Sequence, residues 1–379
     1  MKILLIGEYS RLHNSLKEGL VINGHEVLLV GSGDGFKNYP VDINIAPLTK
    51  KNPLLFFLLK AIYKLFKTDI SKIEIAFRFY KILPKLKGFD AVQLINETSI
   101  KTFYRTEKWF LKKIINQNKR LFLLSCGTDY VSVKYAFDKK LRYSILTPFH
   151  NDNTLSKHYQ FILKYLSKPN YELHKFLYQN IHGVIASDID YHIPLKYHSE
   201  YLGLIPNPVN IDKLNFIPIK ITDKINIFHG INSQNYIKKG NSFFEIALSN
   251  IKKKYPEKVN IVTTKDVSYT NYIKIYDDSH IILDQVYAYD QGYNALEAMA
   301  KGKVVFTGAE QEWLAHYNLK EDTVAINALP DAKKIAAKLE WLILNPEKII
   351  EISKNARDFV VEYHDYKKVA QKYVDCWKS

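Results

Sequence analysis

Residues 284–308 read DQVYAYDQGYNALEAMAKGKVVFTG. The stretch opens as a polar, tyrosine-rich loop bearing Gly292 and passes into strong helix formers over Ala295 to Ala300. After Lys301-Gly302-Lys303 it becomes a β-branched apolar run, Val304 to Thr307. That order is loop, helix, turn, strand. A helix opening behind Gly292 presents unpaired backbone N–H groups and the positive end of its dipole, which together favour a phosphate or another anion. Glu297 sits in the first turns of that helix, where its carboxylate can accept hydrogen bonds from hydroxyls of the same ligand.

These features point to a polyhydroxylated, phosphate-bearing ligand such as a nucleotide sugar. The plainer alternative is a solvated helix acid beside an ordinary turn. The stretch resembles the donor-binding signature of family 4 of the retaining glycosyltransferases, in which an acid, a glycine-rich loop and a second acid precede Ala-Met-Ala-x-Gly and a buried strand. In that family the second acid holds the ribose hydroxyls. The resemblance places it on Glu297, followed by Ala298-Met299-Ala300-Lys301-Gly302. The first acid falls on Tyr289, a departure, and Asp290 beside it is the candidate for contacting the sugar ring. Tyr293 and Asn294 would meet sugar or phosphate through their backbone N–H groups.

The length, 379 residues, exceeds what one hydrophobic core organises and suits two domains. A composition 47% hydrophobic and 25% charged is that of a folded chain, which excludes a disordered one. Cys126 and Cys376 are the only cysteines, too few for a disulfide framework or a structural zinc site, so a reducing cytosol is expected. Met1-Lys2 leads straight into Ile3-Leu4-Leu5-Ile6-Gly7 with no cleavage pattern before it. The apolar run Leu54 to Leu59 falls far short of the roughly 20 residues that span a bilayer. The expected location is cytoplasmic, with peripheral attachment to the inner face of the membrane left open.

Net charge is unevenly divided. Residues 1–210 carry 30 Lys and Arg against 17 Asp and Glu, whereas residues 211–379 carry 24 against 22. The basic front half therefore implies an anionic partner surface, membrane phospholipid or nucleic acid. No recognisable nucleic-acid-binding module accompanies it, so no nucleic acid is expected.

In the front half strand and helix alternate: Lys2 to Gly7, helix-like Leu12 to Ile22, His25 to Val30, then Ala91 to Ile95, Leu121 to Leu124 and Gly183 to Ala186. Such alternation builds a parallel sheet with helices on both faces. No GxGxxG follows the first strand, which disfavours a dinucleotide dehydrogenase. Ligands of open parallel sheets lie beyond the carboxyl ends of the strands, so Gly7 to Arg11, Asn96 to Thr98, and Ser125 to Asp129 are candidates, with Gly7 for binding and Asp129 for catalysis. The alternative for each is a turn with helix-capping side chains. Related transferases often carry a histidine after the strand that here holds Gln93; neither Gln93 nor Asn96 can act as a general base.

Around Gly203-Leu204-Ile205-Pro206-Asn207-Pro208-Val209-Asn210 two prolines flank an asparagine, which can continue neither helix nor central strand and marks a domain junction. The segment resembles the Ile-Pro-Asn-Gly-Val-Asp linker of the same family. Beyond it the pattern repeats: Ile225 to Gly230 as a strand ending in a turn, Lys238-Lys239-Gly240 before the helix Asn241 to Leu248, then strands at Val259 to Thr263 and His280 to Leu283.

In the family an arginine after the strand-end glycine and a lysine before the next helix clamp the donor diphosphate. The lysine matches Lys239, with Lys238 beside it, whereas the arginine position after Gly230 holds Ile231 or Asn232. Tyr269, in the loop from Val267 to Tyr272, bears on specificity. Asp188-Ile189-Asp190 has Asp-x-Asp spacing but no second ligand cluster nearby, and no metal or other cofactor is expected.

The segment from Asn345 to Trp377 has helical apolar spacing and a kink candidate at His364-Asp365; in similar enzymes such a helix crosses back to the first domain. The expected fold is α/β, two doubly wound Rossmann-like domains facing across a cleft, the arrangement called GT-B. Its parts are residues 1–205 on the acceptor side, 206–362 for the nucleotide sugar, and 363–379 as the returning helix. The resemblance implies transfer of a sugar from a nucleotide-diphosphate donor to a glycan or lipid-linked acceptor, with retention, as in bacterial surface-polysaccharide biosynthesis. A GT-B-fold nucleotide-sugar epimerase and a non-catalytic nucleic-acid binder are the competing readings.

The segment from Pro53 to Lys67, PLLFFLLKAIYKLFK, aligns Lys60, Lys64 and Lys67 on one helical face with apolar residues filling the rest. It reads either as a core helix with wet lysines or as a helix that docks on anionic membrane.

Overall fold

The strands arise where short runs of Ile, Leu, Val and Phe can be covered on both faces. A computed structural model describes residues 1–34, 39–66, 68–267 and 269–379. Seven strands form the first sheet: β1 (Lys2–Ile6), β2 (Glu26–Gly31), β3 (Ile43–Asn44), β4 (Ala91–Leu94), β5 (Leu121–Ser125), β6 (Gly183–Ala186) and β7 (Tyr201–Leu204). Their order is β3-β2-β1-β4-β5-β6-β7, all parallel. The second sheet contains β8 (Ile225–Ile231), β9 (Val259–Lys265), β10 (Ile281–Leu283), β11 (Val304–Thr307) and β12 (Ile326–Asn327), ordered β12-β11-β10-β8-β9 and again parallel. Every residue of β4, β5, β6 and β11 is buried, as helices on both faces of a parallel sheet require.

Strand order reverses between β1 and β4 in the first sheet and between β8 and β10 in the second. At such switch points adjacent crossovers leave on opposite faces and open a crevice beyond the strand ends. The first crevice is edged by Gly7 and Glu8, the second by Gly230 and Asp284.

Most expected elements appear, with shifted ends. The helix expected over Asn241 to Leu248 runs Asn241–Lys254, because the buried spacing of Phe244, Ala247 and Leu248 continues to Ile251. The expected junction begins two residues late: Gly203 and Leu204 belong to the edge strand β7. Short strands β3 and β12 carry too little pattern to be read from sequence.

The C-terminal segment breaks where expected, into Pro346–Tyr363 and Tyr366–Lys378, with Asp365 capping the second helix through the N–H groups of Lys367 and Lys368. The last helix packs Val369, Tyr373, Val374 and Trp377 with Ile3, Leu5, Leu12, Leu16 and Leu20, and the Trp377 indole donates to Gln93 Oε1 at 3.0 Å. Gly19 makes this contact possible, since a Cβ there would lie 2.2 Å from the Tyr366 carbonyl oxygen. The two chain crossings between the halves run side by side: Val209 N–H donates to the His364 carbonyl (2.7 Å) and Tyr366 N–H to the Val209 carbonyl (3.2 Å).

Pro53–Phe66 is a helix, but not a core helix: none of residues 53–65 is buried. Leu54, Phe57 and Leu65 are 78%, 73% and 76% exposed, which removes the buried reading of that segment. Lys67 lies outside the described residues. Among those described, no helix is long and apolar enough to cross a membrane.

Candidate functional site

The helix expected from the signature spans Tyr293–Ala300 with Gly292 at its N-cap, and no side chain caps it. Its first i→i−4 bond joins Leu296 N–H to the Gly292 carbonyl at 3.0 Å, so the N–H groups of Tyr293 and Asn294 precede the helical ladder. This terminus opens on a cavity of about 270 Å³ between the two halves of the chain. Gly127, Thr128, Asp188, Asp190 and Tyr191 line it from the first half, Lys238, Gln285, Asp290, Gln291 and Gly292 from the second. The loop before the helix is packed tightly on β11, where a Cβ on Gly308 would come within 2.5 Å of the Asp290 carbonyl oxygen.

Lys239 and Lys238, adjacent in sequence, differ in their surroundings. The Lys239 ammonium is 2.8 Å from Asp284 Oδ1, and Asp284 is buried at the end of β10, where Asn294 Nδ2 (3.0 Å) and Thr307 Oγ1 (3.4 Å) also reach it. Lys239 is therefore paired with a buried carboxylate of the scaffold. Lys238 makes no ion pair among the described residues and lines the cavity, and burial pushes its ammonium below the ordinary lysine range. It also borders a second cavity of about 280 Å³ with His158, Ser233, Gln234 and Lys265.

Asp129 stands at a helix N-terminus. Its Oδ1 accepts Ser132 N–H at 2.7 Å while Ser132 Oγ accepts the Asp129 N–H at 3.5 Å, a capping box that starts the helix Tyr130–Phe137, and its Oδ2 accepts the Ser125 hydroxyl. The capping alternative holds there, and the neighbouring Gly127 and Thr128, not Asp129, reach the cavity. Asn232 likewise caps a short turn through Gln234 N–H at 3.0 Å.

Asp290 does face the cavity, although it is buried and engaged: its carboxylate accepts the N–H groups of Ile189 (2.9 Å) and Gln291 (2.6 Å). Asp190 answers from the other half by accepting the N–H groups of Tyr289 and Asp290, each at 3.1 Å. Burial first, then mutual repulsion with Asp190 and Asp290, raises the Asp188 carboxyl well above the usual range; Asp190 and Asp290 are raised too, chiefly by burial. Among the described residues no group of His, Cys, Asp and Glu is arranged to hold a metal ion.

Tyr289, in the place of the first acid, does not line the cavity. Its hydroxyl accepts the Arg142 N–H at 2.9 Å, and the Arg142 guanidinium stacks 4.8 Å above its ring while pairing with Glu310 and Glu312 at 2.6 Å each. Burial alone would raise Glu310, but hydrogen bonds from Tyr143, Asn327 and Arg142 outweigh it and hold that carboxyl low. These contacts tie the two halves together along one rim of the cavity.

Glu297 is half-buried one turn into the helix, near Tyr276 and Tyr293. It does not line the cavity, nor do Gly230, Asn232, Lys239 and Gly7. Tyr293 donates its hydroxyl to the Pro208 carbonyl at 2.7 Å, and the Asn294 side chain binds the Tyr272 hydroxyl and Asp284, so both side chains anchor the helix. The Tyr269 side chain lies outside the described residues.

Glu8 lies within the candidate run Gly7 to Arg11, where the sequence singles out only Gly7. Its Oε2 accepts the Asn14 backbone and side-chain N–H groups at 2.8 and 2.7 Å, its Oε1 is buried without a hydrogen-bond partner, and burial raises the carboxyl to about 7. Tyr293, at the start of the signature helix, lies within electrostatic reach of Glu8. The available signal was its position at the end of β1.

Residues 235–375 match the family model described as "Glycosyl transferase-like". No curated protein matches the sequence. Solved structures resemble the whole chain. Sucrose-phosphate synthase of Thermosynechococcus elongatus is 13% identical with a TM-score of 0.63, covering 100% of this chain and 98% of that one. HepE of Anabaena, solved with UDP and glucose, is 12% identical with a TM-score of 0.57, covering 99% and 98%. UDP-GlcNAc 2-epimerase of Neisseria meningitidis, bound to UDP-GlcNAc, is 14% identical with a TM-score of 0.52, covering 99% of each chain. The chain thus has the GT-B fold, two Rossmann-like units facing across a cleft, with residues 235–375 similar to the glycosyl transferase-like family.

Proposed function

We propose that the protein transfers a sugar, with retention at the anomeric carbon, from a nucleotide-diphosphate donor to a glycan or lipid-linked acceptor of surface-polysaccharide biosynthesis. The reading rests on one observation above others: the uncapped helix behind Gly292 and the unpaired Lys238 border the same cavity between the two halves. A departing diphosphate develops negative charge, and oriented N–H groups with a fixed ammonium stabilise that charge without having to reorganise. Lys238 and the N–H groups of Tyr293 and Asn294 take that part, with Lys239 setting the loop from beneath.

Glu297 receives the ribose hydroxyls. Asp290, with Asp188 and Asp190 beside it, offers acceptors to the sugar ring in place of the acid absent at Tyr289. The nucleotide sugar is a substrate, and no metal is required where these groups supply the positive charge. The protein works in the cytoplasm, at the inner face of the membrane when its acceptor is lipid-linked.

Thermal unfolding with a panel of nucleoside diphosphates and nucleotide sugars tests the donor site, because a ligand that binds only the native state raises its stability. Stabilisation by at least one nucleoside diphosphate is expected, and none by any member of the panel would defeat the proposal. The fold likeness to the 2-epimerase supplies the competing outcome: a stereoisomer of the donor sugar formed with no acceptor present would replace transfer by epimerisation.

A further inference from the structure

The second cavity, about 280 Å³, is bordered by Lys238, Lys265, Ser233, Gln234 and Tyr236 from the second half and by His158 from the first. Among the described residues no carboxylate lines it.

One wall is the segment between β8 and the helix Asn241–Lys254, and local bonds fix its shape. Asn232 Oδ1 accepts the Gln234 N–H at 3.0 Å, and Asn241 Nδ2 donates to the Tyr236 carbonyl at 2.9 Å. Gly240 ends the helical turn Tyr236–Lys239 in a left-handed conformation (φ 68°), and a Cβ there would lie 2.8 Å from Val286 Cβ. Ile237 packs on the apolar cluster that contains Tyr159, Ile162 and Tyr165 of the first half. That contact brings the helix Ser156–Leu163, which carries His158, against the segment across the boundary between the halves.

Successive residues of a helical turn point about 100° apart. Lys239 reaches Asp284, and Lys238 is left bordering both cavities. It makes no ion pair among the described residues, and burial is the whole cause of its lowered proton affinity. Lys265 ends β9 and likewise makes no ion pair among the described residues.

The acids close by are engaged elsewhere. Asp266 accepts the Ser233 N–H at 2.9 Å and the Ser233 hydroxyl; those bonds first, and Lys265 after them, hold its carboxyl below the usual range. Glu245 accepts the Tyr236 hydroxyl. Neither carboxylate lines the cavity. Two ammonium groups and an imidazole therefore border a space that contains no acid, while Tyr236 and Ile237 add apolar surface suited to the C–H face of a sugar.

We propose that the second cavity binds the acceptor, and that this acceptor is an acidic saccharide whose carboxylate or phosphate is held by Lys238 and Lys265, with His158 opposite them. Because Lys238 borders both cavities, a saccharide seated here adjoins the donor cavity, where an acceptor hydroxyl must lie for transfer. This rests on the transferase reading, and nucleoside diphosphate binding is followed separately so that the two can fail independently.

The test is calorimetry of the full chain with trigalacturonate and glucose 6-phosphate as acidic probes and maltotriose as the neutral one, each with and without a nucleoside diphosphate. At low salt at least one acidic probe should bind on the order of tenfold more tightly than maltotriose, and the tighter of the two identifies the anionic group. Lys265→Glu should erase that preference and leave nucleoside diphosphate binding unchanged. Lys238→Gln should weaken both, a split that general damage to the fold would not produce. Equal binding of acidic and neutral probes, or a preference that survives Lys265→Glu, overturns the proposal. Inorganic phosphate or acetate binding as tightly as the acidic saccharides would mean that the site reads charge and not sugar, which overturns the acceptor assignment. An acidic preference in a protein that binds no nucleoside diphosphate would defeat the donor reading and leave the anionic site standing.

Discussion

Asp190 and Asp290 clasp each other's backbone across the domain boundary: Asp190 accepts the Asp290 N–H at 3.1 Å, and Asp290 accepts the N–H of Ile189, the residue before Asp190, at 2.9 Å. The cleft is held by carboxylates that also repel one another. A carboxyl whose proton is bound more tightly in the folded state favours folding while protonated, and that contribution is lost as pH rises through its raised folded value. Asp188→Asn preserves an acceptor for the Tyr191 N–H and removes one charge. In urea unfolding its advantage over the unaltered protein should grow as pH rises above the ordinary aspartate range, where the raised folded-state shift acts. A difference independent of pH would show that the cluster's charge has no part in stability.

Asp290→Ala leaves the Ile189 and Gln291 N–H groups without their acceptor in a buried setting. Each such donor costs about 1–3 kcal/mol. Asp190→Ala removes the reciprocal bonds, and because the two residues share one contact the double variant should lose less than the sum of the singles in denaturant titrations.

For Glu297→Ala, calorimetry should show donor binding weakened by about 1.5–3 kcal/mol, the usual range for hydrogen bonds to a charged group. An unchanged dissociation constant would remove Glu297 from the ribose.

The two lysines before Gly240 should separate by assay. Lys238→Ala should weaken nucleoside diphosphate far more than nucleoside, with stability little altered. Lys239→Ala uncovers the buried Asp284 carboxylate and should lower stability by about 2 kcal/mol, less than for a fully buried pair because Lys239 is partly exposed. If Lys239→Ala instead leaves stability intact and abolishes only diphosphate binding, the pairing seen with Asp284 gives way to the ligand.

Glu8 predicts a pH dependence. With its carboxyl at about 7, ionisation places a negative charge within electrostatic reach of Tyr293 as pH rises from 6 to 8, which opposes an anionic ligand bound there. Diphosphate affinity should fall over that interval more steeply than in Glu8→Gln, and the variant should bind more tightly at pH 8. Parallel pH profiles for the two proteins would place Glu8 outside the site.

What the sequence by itself determined was local. Alternating apolar runs and helix formers specified parallel sheets, the prolines at 206 and 208 marked the crossing between halves, and Gly292 followed by helix formers specified the terminus on the cavity, since each depends on residues within a turn or two of one another. The break at His364-Asp365 was legible for the same reason. Tertiary structure alone decided which groups are free to act. Lys239 is neutralised by a carboxylate 45 residues away and Lys238 is not, although the two are adjacent in sequence. Asp188 and Asp190 meet Asp290 only because β6 and the signature loop converge across the cleft. The lysines of Pro53–Phe66 sit in the same pattern whether the helix is buried or bare, and only the absence of covering elements around residues 53–65 settled that, because periodicity specifies a helical face but not what packs on it.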